Sequence, residues 1–419
     1  MEKTEIIEIL SEWNPWKGEL KAGILREDYL QRLRRLHETG QIITMSGVRR
    51  AGKSTLLKQY INEVAKRHGS DTILYVNSEE AAFGNITLEM LMKIFDAYRE
   101  IINPTGKVFL FLDEIQKING WEKFVRGLHE KGSVDIFVSG STSELLSSEY
   151  GTLLTGRHVN LKVFPFSFKE FLSVRGIRNQ KEHLLRKTEV VNLLQEYLQW
   201  GGFPKAVLSE EKKSILSAYY DDIIAKDIIE RYKIREGAKL RELARYYLSN
   251  ISSPQSFNNL GKVLQLSVDS VDRFSHYFCE AYLLFFTSKF AYSLKEQTVN
   301  PRKVYTIDSG LREANAFKFS KDIGRVIENM VGVQLLREGK EIYYWKEKRT
   351  DYEVDFIIKE GNELSEAIQV SYGGNIERQE RALKALEKEH NVKKVTVIGW
   401  DKPETTFSGV PLWKWLLGF

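Results

Sequence analysis

Short apolar runs and helically spaced apolar positions divide this chain into recognisable elements. Residues 41–46, 72–77, 107–112 and 134–139 are mostly apolar stretches, the pattern of strands buried on both faces of a parallel sheet. Residues 55–61, just after the first run, read as the opening turns of a helix. Ahead of them, Ile6, Ile7 and Leu10 repeat at helical spacing and Asn14-Pro15-Trp16 breaks the run. Tyr29, Leu30, Leu33 and Leu36 resume it, and Gly40 ends it. From 164 to 235 the spacing is helical, with a turn at Gly201-Gly202-Phe203-Pro204. Tyr219, Tyr220, Ile223, Ile224 and Ile228 mark one helix face, which puts Asp221, Asp222, Lys226 and Asp227 on a solvated one. Residues 257–264 read as a short helix and Gln265-Leu266 as a turn. Ser267 then caps a second helix with apolar positions Val268, Val271, Phe274 and Phe278, which is helix-turn-helix order. Residues 281–286 and 303–307 follow as a hairpin. The last stretch alternates a helix over 322–338, strands over 342–345, 353–358 and 367–372, a helix over 376–389 and a strand over 395–400.

One stretch carries chemistry in consecutive residues. Gly47-Val48-Arg49-Arg50-Ala51-Gly52-Lys53-Ser54 matches G-x-x-x-x-G-K-[ST] at every fixed position, between a predicted strand and a helix that begins with Thr55. The glycines let the backbone curl so that several N–H groups face one phosphate chain, and the helix N-terminus adds partial positive charge. Lys53 is placed to reach the β- and γ-phosphates and the Ser54 hydroxyl to ligate Mg²⁺. These residues therefore predict binding of a nucleoside triphosphate, ATP, with Mg²⁺. Its companion is the run over 107–112, which delivers Asp113 and Glu114 at a strand's C-terminal end. The first acid suits the Mg²⁺ shell and the second suits polarising the attacking water. The run over 134–139 ends in small polar residues, so Ser139 and Ser141 are both candidates to sense the γ-phosphate, with Ser141 preferred. Arg157 is a candidate to reach a phosphate in its own or a neighbouring subunit, or else a surface arginine.

Composition narrows the setting. At 419 residues the chain calls for two or three domains. A hydrophobic share of 42% excludes a disordered class. The net charge of +5 permits nucleic acid as a partner, provided any basic surface is local. The single cysteine, Cys279, excludes an internal disulfide and a Cys-based zinc site, and suits a reducing compartment. No apolar run approaches membrane-spanning length and residues 1–5 do not open a signal peptide, so a soluble cytoplasmic protein is expected.

The segments SGVRRAGKSTL, FLFLDEIQKINGWEKFVRGLHE, IFVSGSTSELL, LLTGR, VFPFSFKEFL and YLQWGGFPKAV stand in this order. In that order they resemble the archaeal and bacterial AAA-type ATPases that carry a C-terminal restriction-endonuclease-like domain. The resemblance implies an α/β fold. Its P-loop NTPase parallel sheet and N-terminal helices would span 1–163, and a helical lid region 164–235. A winged helix over 236–319 and a small α/β restriction-endonuclease-like domain over 320–419 would follow. In the winged helix, the second helix exposes Asp269 and Asp272 beside Arg273, which disfavours phosphate. The DNA-binding candidates are instead Lys289, Lys295, Arg302 and Lys303, on or beside the wing. A winged helix that only packs against the ATPase is the competing reading. Active nucleases of that superfamily place an Asp on one strand and acid-x-Lys on the next. Asp355 takes the first position and Glu328 lies on the preceding helix, but Gln369 and Ser371 stand where the second acid and the lysine belong. The nuclease site is therefore expected to be vestigial. Three functions follow as expectations: an ATP-hydrolysing protein that engages DNA through its C-terminal domains, a regulatory switch whose C-terminal domains bind proteins, and a metal-dependent nuclease. A homo-oligomer is compatible with each.

Overall fold

The apolar runs become strands β1 (Ile42–Ser46), β2 (Ile73–Asn77), β3 (Val108–Asp113) and β4 (Val134–Ser139), joined by β5 (His158–Lys162). All five are parallel, in the spatial order β2-β3-β4-β1-β5. The computed structural model describes residues 1–140, 154, 156–317, 322–347, 350–374 and 376–419. It divides into two compact units, Met1–Val163 and Phe164–Phe419. Ser141 lies outside the described residues. β5 escaped the hydrophobic pattern because it is an edge strand, with Leu161 its only fully buried residue.

In the first unit, helices α1 (Lys3–Ser11), α4 (Leu88–Ile101) and α5 (Trp121–Glu130) supply one layer of core, where Ile6, Leu91, Ile94 and Val125 meet Leu74 and Leu110. On the other face lie α2 (Glu27–His37) and α3 (Lys53–His68), over an aromatic cluster. Phe111 and Phe137 stack at 4.6 Å between centroids, and His37 bridges Tyr60 at 2.8 Å and Asp135 at 2.7 Å. The Asn14-Pro15-Trp16 break covers the exposed edge of β2. Asn14 Nδ2 donates to Tyr75 O at 2.9 Å, Tyr75 N donates to Asn14 Oδ1 at 2.7 Å, and Trp16 Nε1 donates to Ile73 O at 2.9 Å. Side chains thus satisfy backbone groups that a neighbouring strand would otherwise meet.

The second unit opens with helices α6 (Phe168–Val174), α7 (Lys187–Trp200) and α8 (Lys212–Asp222). A close backbone approach sets the turn after α7: a Cβ on Gly202 would lie 2.1 Å from Phe166 O, so only glycine fits. α8 runs on into a π-helical segment, Ile223–Glu230. That segment overturns one expectation. Asp227 is buried rather than solvated, because i→i+5 winding rotates later residues away from the face that 3.6-residue spacing assigns.

Next come α9 (Gly237–Ser249), β6 (Ser253–Gln255), α10 (Phe257–Leu264), α11 (Val268–Glu280), β7 (Leu284–Thr287) and β8 (Arg302–Thr306). The three strands form an antiparallel sheet in the order β6-β8-β7. Gln265 holds the tight turn between α10 and α11 at a φ of 54°, and Ser267 Oγ accepts from Ser270 N at 3.1 Å to start α11. After α12 (Ser309–Asn315) and α13 (Ile323–Arg337), a second five-stranded sheet is built from β9 (Glu341–Lys346), β10 (Glu353–Glu360), β11 (Glu363–Ser371), β12 (Val395–Gly399) and β13 (Ser408–Pro411). Its order is β13-β12-β11-β10-β9. The β9-β10-β11 part is antiparallel and the β11-β12-β13 part parallel, with α14 (Ile376–Glu389) packed on it. Among the described residues, no helix is long and apolar enough to cross a membrane.

Candidate functional site

The loop after β1 is held in shape by its close contacts with neighbouring elements. A Cβ on Gly47 would lie 2.0 Å from Val163 O, and Gly52 opens α3 with a φ of 96°, a conformation that favours glycine. Lys53, 4% exposed, folds back so that Nζ donates to Gly47 O at 2.9 Å and Val48 O at 3.1 Å. Its ammonium therefore sits inside the loop, at the N-terminus of a 16-residue helix. Arg26 braces the loop from outside. It is almost wholly buried, donates from Nη1 to Ala51 O at 3.0 Å, and lies 4.3 Å over the Tyr29 ring. Arg49, Arg50 and Val48 complete the loop, and Ser54 and Thr55 follow Lys53 in the first turn of α3.

Strand order brings the acids to the same edge. β4 lies between β1 and β3, Met45 pairs with Ser139, and Gly140 N donates to Met45 O at 3.1 Å. Asp113, 1% exposed at the end of β3, accepts from Ser139 Oγ and from Tyr75 OH at 3.0 Å. Burial, and then the Asp113 carboxylate, push the Tyr75 phenol well above its ordinary range, so Tyr75 stays a donor. Glu114 follows in the left-handed region at a φ of 53°, and its Oε2 accepts from Gln116 Nε2 at 2.6 Å. A bulky residue held there stores strain, a feature that clusters at active sites. A buried carboxylate with two hydroxyl donors fits a hard divalent cation such as Mg²⁺.

Arg157 lies elsewhere. Its carbonyl accepts from Ile42 N just ahead of β5, whereas the loop starts after Ser46 at the opposite end of β1. The intervening strand spans roughly 13 Å, beyond a side chain's reach. Half-exposed, Arg157 pairs with Glu130 at 3.4 Å. Arg157 therefore does not reach the loop at 47–55 of its own chain.

The second unit gathers Glu328 from α13, Asp355 from β10 and Gln369 from β11 into one buried cluster. Gln369 Nε2 and Val370 N donate to Asp355 Oδ2 at 2.7 and 2.9 Å, and Gln369 Oε1 is buried with no partner among the described residues. Lys303 is the surprise. Expected on the DNA-facing wing, it is 1% exposed and inserts Nζ among Glu353 at 2.7 Å, Glu328 at 2.9 Å and Asp355 at 3.2 Å. The reason is strand alternation, since Arg302 and Lys303 are neighbours on β8 and must point to opposite faces. Tyr305, two residues on, shares the Lys303 face and donates to Glu328 at 2.9 Å. Burial pushes Glu328 up to about 8, with Asp355 adding to the effect. A cavity of about 420 Å³ lies against this cluster, lined by Glu353, Asp355 and Gln369 with Lys346 and Arg378.

Comparison with known proteins places the chain. An AAA domain matches residues 39–172, and two domains of unknown function match 191–322 and 323–415. An uncharacterized protein of Methanocaldococcus jannaschii is 34% identical over 410 residues, which cover 90% of this chain and 89% of that protein. The chain belongs to that family, and its first unit is an AAA domain. An uncharacterized protein of Haemophilus influenzae is 30% identical over 403 residues, covering 93% of this chain and 97% of the other. Among solved structures, this AAA-domain protein is similar to the Aeropyrum pernix ORC1 protein in complex with DNA. That likeness is at 12% identity and a TM-score of 0.32, covering 71% of this chain and 92% of that one. The AAA domain has the fold of an AAA-type P-loop ATPase, which carries nucleotide binding in general.

Three residues of this AAA-domain protein were missed in the sequence. Arg26 and Tyr75 carry no motif; they matter only because folding brings them to the loop and to Asp113. Glu353 was legible, since it stands two residues before Asp355 on a predicted strand and so shares its face.

Proposed function

We propose that the chain binds ATP with Mg²⁺ at residues 47–55, hydrolyses it, and engages DNA through its second unit. The observation that carries the first part is the alignment of three strand ends. The loop follows β1, Asp113 ends β3, and Ser139 on β4 between them bonds to Asp113. In this reading Lys53 neutralises the β- and γ-phosphates, and Ser54 and Asp113 hold Mg²⁺, which lends charge stabilisation to the transferring phosphoryl group. Glu114 orients and deprotonates the attacking water. Ser141, outside the described residues, remains the preferred γ-phosphate sensor, with Ser139, whose hydroxyl donates to Asp113, as the alternative.

Arg157 enters this reading only from a neighbouring copy. Arg157→Ala is then expected to keep ATP binding and to lower hydrolysis, with the wild-type rate per molecule rising with protein concentration. A concentration-independent rate and a fully active variant would make Arg157 a surface residue.

DNA engagement is supported by the order of elements from α9 to β8, which we read as a winged helix, and by exposed cations beside its hairpin. Lys295 is exposed, and Arg302 pairs loosely with Asp272 at 3.9 Å and lies 5.5 Å over the Phe257 ring. Lys289 is half-buried at a bridge to Tyr344, and Lys303 is withdrawn from the candidate set by its burial. Lys295→Glu with Arg302→Glu should weaken binding to all sequences alike and make the salt dependence shallower, because phosphate contacts carry no base information. A salt-titrated binding assay with and without ATP tests this. Unmeasurable binding by the wild type at low salt would leave the regulatory, protein-binding switch as the better reading.

A further inference from the structure

A guanidinium in the second unit is buried without a hydrogen-bonded partner among the described residues. Arg312, on α12, is 9% exposed, and its Nε is buried with no partner. No hydrogen bond or ion pair of its guanidinium is present among the described residues. The acids near it are engaged elsewhere: Glu313 accepts from Gln199 at 3.3 Å, and Asp322 pairs with Arg325 at 3.1 Å. Burial pulls the Arg312 pKa below its ordinary value, and these two acids only partly restore it. A buried guanidinium with no hydrogen-bonded partner among the described residues, and with its nearest acids bonded to other groups, is unfavourable, so a native fold that keeps one has a use for it.

Arg312 lines a cavity of about 550 Å³, a size that suits a small organic ligand; Glu313 and Asp322 also line it, their carboxylates bonded to Gln199 and Arg325. Two features of the cavity add to the guanidinium. The first is the N-terminal turn of α13, a helix of 15 residues, which opens on the cavity at Ile323 and Val326 and whose Asp322 makes no side-chain cap. Its first amides have no intrahelical acceptor and carry partial positive charge. The second is an aromatic wall, Tyr372 and Trp400, each placed just past the end of a strand. Those strands, β11 and β12, are parallel neighbours, and ligands of α/β sheets collect outside the carboxyl ends of such strands. Leu198 on α7 completes an apolar side.

We propose that this cavity binds a small organic anion, a flat ring carrying one phosphate or carboxylate. The anionic head sits between Arg312 and the first turn of α13, and the ring lies against Trp400 and Tyr372. The site is separate from the loop at 47–55 and does not depend on the ATP or DNA reading.

The test uses the full chain with Lys53→Ala, so that the loop at 47–55 does not compete for phosphate. Phenyl phosphate, benzoate and inorganic phosphate are titrated by calorimetry. Phenyl phosphate or benzoate should bind once per chain, and the stronger of the two identifies the head. Arg312→Met should weaken that binding at least tenfold. Trp400→Leu should weaken the ring-bearing probe but not inorganic phosphate. Without ligand, Arg312→Met should melt no lower than its parent, because it removes an unpaired buried charge. Should that variant not fold, Arg312→Lys replaces it, with retained charge and weakened binding expected. The proposal fails if neither ring-bearing probe binds, if Arg312→Met binds as its parent does, or if that variant folds but melts far lower, which would make the guanidinium structural.

Discussion

Glu114→Gln is expected to bind ATP as the wild type does and to hydrolyse it about a hundred- to ten-thousandfold more slowly, the range for removing a positioned general base. The amide keeps the size of the side chain and its bond from Gln116, which is already made at Oε2, but cannot take a proton from water. Lys53→Ala should differ in kind. The Lys53 ammonium already lies within the loop, bonded to the carbonyls of Gly47 and Val48. Without it the triphosphate would meet a loop lacking its counter-charge, so binding itself is lost. Nucleotide affinity and single-turnover hydrolysis, measured for both variants, separate the roles. Turnover by Glu114→Gln within a fewfold of wild type would remove Glu114 from the chemistry.

Lys303→Met should be the most destabilising single change in the second unit. It takes the ammonium from between Glu328, Glu353 and Asp355 and fills the space with an uncharged chain of similar length. Removing one partner of a buried ion pair costs about 3–5 kcal/mol, because the remaining charge is stranded. For a domain of this size that corresponds to a melting temperature lower by roughly 6–20 °C. Adding Glu353→Gln to Lys303→Met should recover part of the loss, since one carboxylate left without its ammonium is then gone. A melting curve for Lys303→Met that overlays the wild type would show the cluster to be energetically idle.

The same cluster sets a pH dependence. Glu328 is pushed up to about 8 in the folded chain from an ordinary value near 4.5. Between those values the folded state holds a proton that the unfolded state has released, so stability falls as pH rises through the window. Glu328→Gln cannot titrate. The wild type should therefore lose stability relative to this variant between about pH 5 and pH 8, and the difference should be flat below that range.

The cluster also bears on DNA cleavage. The resemblance to restriction-endonuclease-like domains implies that Gln369 and Ser371 stand where an acid and a lysine would complete a nuclease site. The fold adds a third acid, Glu353, and a lysine, Lys303, from another element. That lysine is bound directly to the carboxylates and competes with any divalent cation for their oxygens. Absence of Mg²⁺- or Mn²⁺-dependent cutting therefore remains the expected behaviour, now for a reason that the sequence did not display.

How far the sequence reached depended on how local each feature is. The loop at 47–55 was legible because its glycines, lysine and serine are consecutive, and because the strand before it and the helix after it announce themselves by hydrophobic pattern. Asp113 and Glu114 were legible for the same reason, as two acids at the end of an apolar run. Asp227 was misplaced because a π-helical segment breaks the spacing that assigns helix faces. Lys303 was misplaced because neighbouring strand residues face opposite ways, and the register that buries one and exposes the other belongs to the sheet. By itself, then, the sequence determined the parallel α/β unit, its phosphate loop and its acids, since each rests on short-range pattern and backbone geometry. Only the tertiary structure decided which lysine is buried, which end of the sheet Arg157 occupies, that Arg26 braces the loop, and that Arg312 lines a cavity with no partner among the described residues. Those outcomes depend on strand order and on the desolvation of charges by residues far away in the chain.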